Sequence, residues 1–129
     1  MSVREKAERL RRFLEENKAF ANVPALTVRG RPVTLREALE MLEAGRNVEE
    51  VMLGLSKLGL DLPWELAEEF YRRLAAARPE LKIYALQAYV PAMSPAEALE
   101  HIRARDEVGR SLVEMYAKLL NFIRLRVDW

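Results

Sequence analysis

The sequence contains no cysteine and a single histidine among its 129 residues. The absence of cysteine excludes disulfides, thiolate metal sites, iron–sulfur clusters and thiol catalysis. The single histidine excludes every site within one chain that needs two or more histidine ligands.

Glycine is also scarce, with five residues in the chain, and no glycine-rich loop that would cradle a phosphate is present. There is no GxSxG motif to mark a nucleophilic serine. His101 is a candidate for acid–base catalysis, but Glu97 and Arg105 lie one turn on either side of it, as is typical of a solvated helix surface. Adjacent carboxylates such as Glu15 and Glu16 point about 100° apart on a helix and do not face one site. We expect no cofactor, and a small enzyme that uses His101 is the least favoured of three hypotheses.

Long apolar runs are missing as well. No stretch reaches the roughly 18 apolar residues that are needed to span a bilayer, and residues 1–6 lack the apolar run of a signal peptide. These features predict a protein that is cytoplasmic, or assembled in the cytoplasm, without a membrane partner. Asn and Gln are few while Arg and Glu dominate the charged residues, a usage typical of thermophiles and also of GC-rich genomes.

The composition is that of a globular protein, with 50% apolar and 32% charged residues, and helix starts are well marked. Capping boxes at Ser2–Glu5, Thr34–Glu37 and Ser94–Glu97 each predict the first turn of a helix. The first of these helices should cover about residues 3–17, because its apolar residues recur at helical spacing. Gly45 should end the second.

Two further helices are predicted between these capping boxes. Asn47 is expected to cap a helix that ends near Gly59. Asp61 with Pro63 should start the next, with the proline in its first turn, and Pro79 should end it.

The second half of the chain contains an apolar segment and one marked break. Residues 81–90 are apolar on nearly every side, which favours a buried central helix over a buried strand. Gly109 predicts a kink or break, after which the last helix runs from Ser111.

The predicted fold is one all-α domain over residues 1–129, a bundle of six to seven helices. A short extended or hairpin element is expected near residues 23–33, turning at Gly30, with an irregular extended arm as the alternative. Residues 1–33 then form an N-terminal helix plus this arm, and residues 34–129 form the helical core.

The last helix carries two apolar stripes. One should face the core. The other contains Val108, the residues that follow it at intervals of seven, and Leu125 beside that line. Two stripes need two packing partners, and the second stripe can pack either on the first helix, through Phe13 and Phe20, or on another chain. The candidate residues for a partner interface are Met115, Phe122, Leu125 and Trp129.

The net charge of +1 hides an uneven distribution. Residues 1–18 and residues 110–129 each carry a net charge of +2, whereas residues 47–77 carry −3. If the two ends meet in the fold, a basic face opposes an acidic one, and such faces favour head-to-tail contacts between copies.

Arginines cluster on the first helix, at the hairpin tip and on the last helix. Arginines in such positions can contact phosphates or enter a minor groove. The sequence pI of 8.0 lies below the value of about 9 that marks a dedicated basic domain. The candidates for nucleic-acid contacts are Arg9, Arg11, Arg12, Arg29, Arg31, Arg124 and Arg126.

One segment has a family likeness. From Ala67 to Ile102 a helix is followed by Pro91 and then by an acid-capped helix, and this order resembles the helical part of the small stalk subunit of archaeal RNA polymerase, with its A…L…A…P…E…I pattern. The resemblance covers less than a third of the chain and uses common residue types. It implies a nucleic-acid-associated role and assigns no residue a function.

Three hypotheses follow from the sequence. The first is a non-enzymatic helical assembly subunit, oligomeric, which contacts itself or another protein subunit through its terminal helices. The alternative is a nucleic-acid-associated helical protein, such as a filament or virion coat or a polymerase accessory subunit. The third is the small enzyme that uses His101.

Overall fold

The computed structural model describes residues 2–85 and 90–127. Most of these residues are helical, and a two-stranded antiparallel hairpin lies near the start, as the sequence predicts. The elements are α1 (Val3–Glu16), a 3₁₀ turn (Lys18–Phe20), β1 (Pro24–Val28), β2 (Arg31–Thr34), α2 (Leu35–Ala44), α3 (Val48–Ser56), α4 (Trp64–Ala77), α5 (Pro95–Ala104) and α6 (Glu107–Val127).

The capping signals act where the sequence places them. The hydroxyl of Ser2 accepts a hydrogen bond from the backbone N–H of Glu5 and begins α1. Thr34 and Ser94 do the same for α2 and α5, and in both cases the glutamate three residues on accepts a bond from the N–H of the cap. These reciprocal bonds satisfy backbone donors that have no partner within the helix. All three predicted helix starts are confirmed.

The extended element is a paired hairpin with one register shift between Pro24 and Leu26, and the irregular arm was the wrong alternative. Val28 pairs with Arg31, so Arg29 and Gly30 form the turn, and both have positive φ angles of 51° and 76°. A two-residue turn of this kind matches the twist of the flanking strands. Glycine adopts such a φ without strain, whereas arginine does so at a cost.

The longest helix, α6, supplies much of the core. It packs against α5, α4 and α1, while the hairpin lies against α2, α3 and α4. The inner face of α6 contains buried residues at helical spacing, as the sequence predicts: Leu112, Tyr116, Leu120, Ile123 and Val127. The buried hydroxyl of Tyr116 donates a hydrogen bond to the carbonyl oxygen of Pro24, which joins α6 to β1.

The helix predicted over residues 81–90 is wrong in the part that the structure describes. Residues 81–85 and Val90 are not helical, and residues 86–89 lie outside the described residues. Ile83 and Met93 instead form an antiparallel bridge, with N–H to O distances of 2.7 and 2.9 Å in the two directions. Pairing with a residue ten positions away satisfies the backbone without a helix, and Pro91 disfavours helix in the residue before it.

The break predicted at Gly109 falls earlier. Arg105 has a φ of 54° and ends α5, and α6 is already helical from Glu107 rather than from Ser111. Gly109 has a packing role instead, because a Cβ atom placed on it would lie 2.1 Å from the carbonyl oxygen of His101. The absence of a side chain at Gly109 therefore lets α5 and α6 approach closely at their corner.

The starts of α3 and α4 differ in detail from prediction. Asn47 occupies the cap position of α3 but makes no side-chain capping bond. Pro63 lies at the cap position of α4, one residue before its first turn. α3 ends at Ser56, and Gly59 lies in the loop that follows it.

Candidate interaction surface

The second apolar stripe of α6 is covered at its beginning and open at its end. Val108 and Met115 are half-buried against the core. Phe122 is 47% exposed, and its ring stands edge-on to that of Phe20, with the centroids 6.4 Å apart. Leu125 is 70% exposed. The chain's own residues therefore cover one side of Phe122 and leave Leu125 to the solvent.

The fourth predicted interface residue, Trp129, lies outside the described residues. The contact with Phe20 continues into α1, because the rings of Phe20 and Phe13 lie 5.8 Å apart. This is the intramolecular packing that the sequence offers as one alternative for the stripe. It does not reach Leu125.

A groove of about 410 Å³ runs between α1 and the end of α6, and we call it the terminal groove. Phe13 and Val127 contribute buried apolar surface, and Leu125 forms an exposed edge. Its lining residues are Arg9, Arg12, Phe13, Glu16, Asn17, Leu125, Arg126 and Val127. Its charged lining residues are three arginines and one glutamate.

The fold brings three of the seven predicted arginines together and places the other four elsewhere. Arg9, Arg12 and Arg126 come together in the terminal groove, although Arg126 is more than a hundred residues away from the other two in the sequence. The guanidinium of Arg126 lies 5.7 Å from the centre of the Phe122 ring, at cation–π distance. Arg12 is 3.9 Å from a Glu8 carboxylate oxygen, at the outer limit of an ion pair.

Two of the other arginines form ion pairs or hydrogen bonds that join parts of the fold. Arg11 pairs with Glu8 at 2.9 Å and with Glu43 of α2, and the hydrogen bond to Glu43 raises the pKa of the Arg11 guanidinium. Arg124 donates to the carbonyl of Leu58 at 3.1 Å and to the side chain of Asn121 at 3.0 Å.

The hairpin arginines lie apart from the groove. Arg29 and Arg31 are exposed at the hairpin tip and do not line the terminal groove. The backbone N–H of Arg29 donates to the carboxylate of Glu50 at 2.8 Å, which fixes the tip beside α3.

A second exposed apolar group, not predicted from the sequence, lies on α3 and the loop after it. Leu53, Leu60 and Leu62 are 55%, 58% and 37% exposed. We call these leucines and their acidic neighbours the loop surface. The loop is fixed to α6, because Asn121 donates to the carbonyl of Gly59 at 2.8 Å and the Leu58 carbonyl accepts from Arg124.

The loop surface is flanked by carboxylates. Glu49 lies one turn before Leu53 on α3, Asp61 lies between the two loop leucines, and Glu65 lines a small groove together with Leu62. All three acids are exposed, and none forms an ion pair with a described residue. The one signal for this surface in the sequence is the pair of leucines around Asp61 in a turn segment.

His101 has a structural role at the corner between α5 and α6. Its Nδ1 atom lies 2.6 Å from the Oδ2 atom of Asp106. The other oxygen of Asp106 accepts a hydrogen bond from the backbone N–H of Gly109 at 2.8 Å. The bond from Gly109, followed by that with His101, lowers the pKa of the Asp106 carboxyl below its ordinary value. Neither His101 nor Asp106 lines the terminal groove.

Within residues 2–85 and 90–127, no group of three or more His, Asp or Glu side chains is placed to hold a metal ion. None of the helices in this part of the chain has the length and apolar character to cross a bilayer.

No protein-family profile, curated protein or solved structure matches the chain significantly.

Proposed function

We propose that the protein is a non-catalytic assembly subunit that self-associates through the surface where α1 meets the end of α6. The observation that carries this proposal is the exposure of Leu125, a large apolar residue that lies on the edge of an arginine-lined groove. Phe122, half-exposed on the same end of the helix, extends the apolar area.

The residue types at this surface support the proposal. Aromatic residues and arginine are enriched at protein interfaces, where an apolar centre is surrounded by a polar rim. This surface has both parts: Leu125 in the terminal groove and Phe122 beside it are apolar, and Arg9, Arg12 and Arg126 line the groove. The apolar area is small, so we expect a weak, concentration-dependent association.

The experiment is sedimentation velocity of the purified protein from about 10 µM to about 1 mM, the range in which weak interfaces become populated. We expect the mean mass to rise with concentration. Leu125→Glu should shift the association constant at least about tenfold towards the monomer, because it places a charge in the apolar contact. Tyr84→Glu is the matched control, since Tyr84 is exposed but lies outside this surface.

Wild-type protein that stays monomeric at about 1 mM would contradict the proposal. An equal effect of Leu125→Glu and Tyr84→Glu would contradict the assigned surface. Because Leu125 is exposed, neither the fold nor its thermal midpoint should change in the Leu125→Glu variant.

A second candidate function, contact with nucleic acid, is favoured by one observation. Arg9, Arg12 and Arg126 converge on one groove from opposite ends of the sequence, and arginines held in this way can neutralise backbone phosphates. Arg12 and Arg126 alone offer about two phosphate contacts, which predicts a log–log slope of binding constant against salt of about −2 on duplex DNA.

Fluorescence anisotropy with a labelled duplex at low and moderate salt tests this candidate. Arg12→Gln with Arg126→Gln should reduce the salt slope by about two. Arg29→Gln with Arg31→Gln is the matched control of the same charge change at the hairpin tip. Loss of binding only in the hairpin variant would move the contact to the arm, and absence of binding at low salt would exclude this function.

A further inference from the structure

Arg105 lies where the end of α5 meets the start of α4. It is the cap residue of α5 and has a φ of 54°, a left-handed conformation that glycine adopts without strain and arginine does not. Its guanidinium stacks on the ring of Trp64, the first residue of α4, at 4.7 Å from the ring centre. The fold therefore accepts backbone strain at a position that places a cation on an indole.

The N–H groups of the Arg105 guanidinium have no acceptor in the described part of the chain. The nearby Arg103 differs, because it donates to the carboxylate of Glu68 at 2.8 Å and so joins α5 to α4. A guanidinium that lies flat on an indole is held in one plane, and the N–H groups along its edge match the two oxygens of a carboxylate. Since Arg105 is also exposed, it is oriented to bind an anion from outside the chain.

Two grooves border this stack, and each is lined by Trp64, Glu65 and Arg105. The larger has a volume of about 310 Å³ and also contains Leu62 and Leu66; we call it the corner groove. Leu62 is 37% exposed, so apolar surface lies open beside the guanidinium. The volume is at the lower end of the range for small-molecule sites, about 300–1,000 Å³, and an open groove of this size suits a few side chains of a protein segment.

We propose that the corner groove binds a segment of another protein that carries a carboxylate beside apolar side chains. The carboxylate would accept hydrogen bonds from the guanidinium of Arg105, and the apolar side chains would contact Leu62 and Leu66. This surface is separate from the one between α1 and α6, so the proposal goes beyond self-association and does not depend on it.

Glu65 restricts the charge that the partner can carry. It lines both grooves and forms no ion pair with a described residue. A single negative charge is offset by Arg105, whereas the charge of about −2 on a phosphate monoester would also be repelled by the Glu65 carboxylate. The corner groove should therefore prefer a carboxylate to a phosphorylated segment.

Peptide titrations tests this preference through the indole N–H signal of Trp64 in heteronuclear NMR spectra. Trp64 and Trp129 are the two tryptophans of the chain, so the Trp64 signal is the one that remains in Trp129→Phe. The probes are the acetylated and amidated tripeptides Leu-Asp-Leu, Leu-Asn-Leu and Leu-phosphoserine-Leu. We expect the first to shift the signal with a Kd of about 1 mM, and the other two to bind at least about tenfold more weakly.

Variants of the corner assign the binding to its residues. Arg105→Gln should weaken binding of Leu-Asp-Leu at least about tenfold, and Arg105→Gly should do the same while relieving the backbone strain. Glu65→Gln should let the phosphoserine peptide bind more tightly than it does to wild type. Arg36→Gln makes the same charge change at an exposed position on α2 outside both grooves, and it should bind like wild type. Circular dichroism should show wild-type helix content in each variant.

Three results would overturn the proposal. Equal affinities for the Asp and Asn peptides would show that the carboxylate is not recognised. Binding that survives both Arg105→Gln and Arg105→Gly would show that Arg105 is not the anion partner. A Trp64 signal that does not shift with any peptide up to about 10 mM would show that the corner groove does not bind such segments. None of these results bears on self-association, which sedimentation velocity measures without peptide.

Discussion

The imidazole Nδ1 atom of His101 lies 2.6 Å from the Oδ2 atom of Asp106, and this contact closes the corner between the last turn of α5 and the first turn of α6. Asp106 uses its second oxygen to accept a hydrogen bond from the backbone N–H of Gly109. One carboxylate thereby joins a side chain of one helix to the backbone of the next.

The lowered pKa of Asp106 predicts how stability depends on pH. A carboxyl group whose pKa is lower in the folded state stabilises the fold above its unfolded pKa, and this stabilisation is lost as pH falls through the folded pKa. Asp106→Asn removes that contribution, so the variant should be less stable at neutral pH. It should also lose less free energy of unfolding than wild type between about pH 5 and about pH 2.

Urea denaturation at a series of pH values measures this effect. The free-energy curves of Asp106→Asn and wild type should converge as the pH is lowered. Parallel curves over the whole range would show that the hydrogen bonds from Gly109 and His101 do not stabilise the ionised carboxylate.

Gly109→Ala tests the close approach of α5 and α6. The added Cβ would lie 2.1 Å from the carbonyl oxygen of His101, so the two helices must move apart. We expect a loss of about 1–3 kcal/mol, since overpacking outweighs the gain in helix propensity. Ser111→Ala, two residues later in the same helix, is the control and should be close to neutral. A Gly109→Ala variant as stable as Ser111→Ala in thermal unfolding would contradict the geometry.

Tyr116→Phe tests the tie between α6 and β1. The change leaves the carbonyl of Pro24 without its buried donor, and we expect a loss of about 1–2 kcal/mol in the free energy of unfolding. Burial raises the pKa of both Tyr116 and Tyr71. Tyr71→Phe is the matched control, because the Tyr71 hydroxyl forms no hydrogen bond with a described residue. Equal losses in the two variants would show that the bond to Pro24 contributes nothing measurable.

Arg29→Asn should stabilise the hairpin. Arg29 has a φ of 51°, and asparagine before glycine is the residue best suited to such a turn. We expect a gain of about 0.5–1 kcal/mol, measured by urea denaturation. Arg31→Asn makes the same change of charge in β2, outside the turn, and should bring no gain. A gain of the same size in both variants would assign the effect to charge rather than to backbone conformation.

The elements that the sequence predicts well are those that depend on neighbours within a few residues. A cap such as Ser94 bonds to Glu97 three positions away, and the turn at Gly30 needs only the two strands beside it. The errors involve distant partners. Ile83 pairs with Met93 across ten residues, and the role of Gly109 depends on the carbonyl of His101 in another helix.

The candidate surface likewise has features that the sequence predicts from local spacing and features that depend on distant residues. The spacing of apolar residues in the last helix predicts a second apolar stripe, and Phe122 and Leu125 are the members of it that the fold leaves exposed. The exposure of Leu60 depends on how its loop lies on α6, which no local pattern reveals. Whether an arginine lies in the groove or forms an ion pair elsewhere depends on residues far away in the sequence, such as Glu43, which pairs with Arg11.

The hydrogen bond between Tyr116 and Pro24 also has a consequence for the synthesis of the protein. The two residues are 92 positions apart, so β1 cannot complete its packing before Tyr116 has been synthesised and has emerged from the ribosome. The hairpin can form early as a local structure, but a two-stranded hairpin alone is marginally stable in water. The folding rate is therefore expected to depend on this long-range contact, which forms only after the hairpin and the start of α6 have both been made.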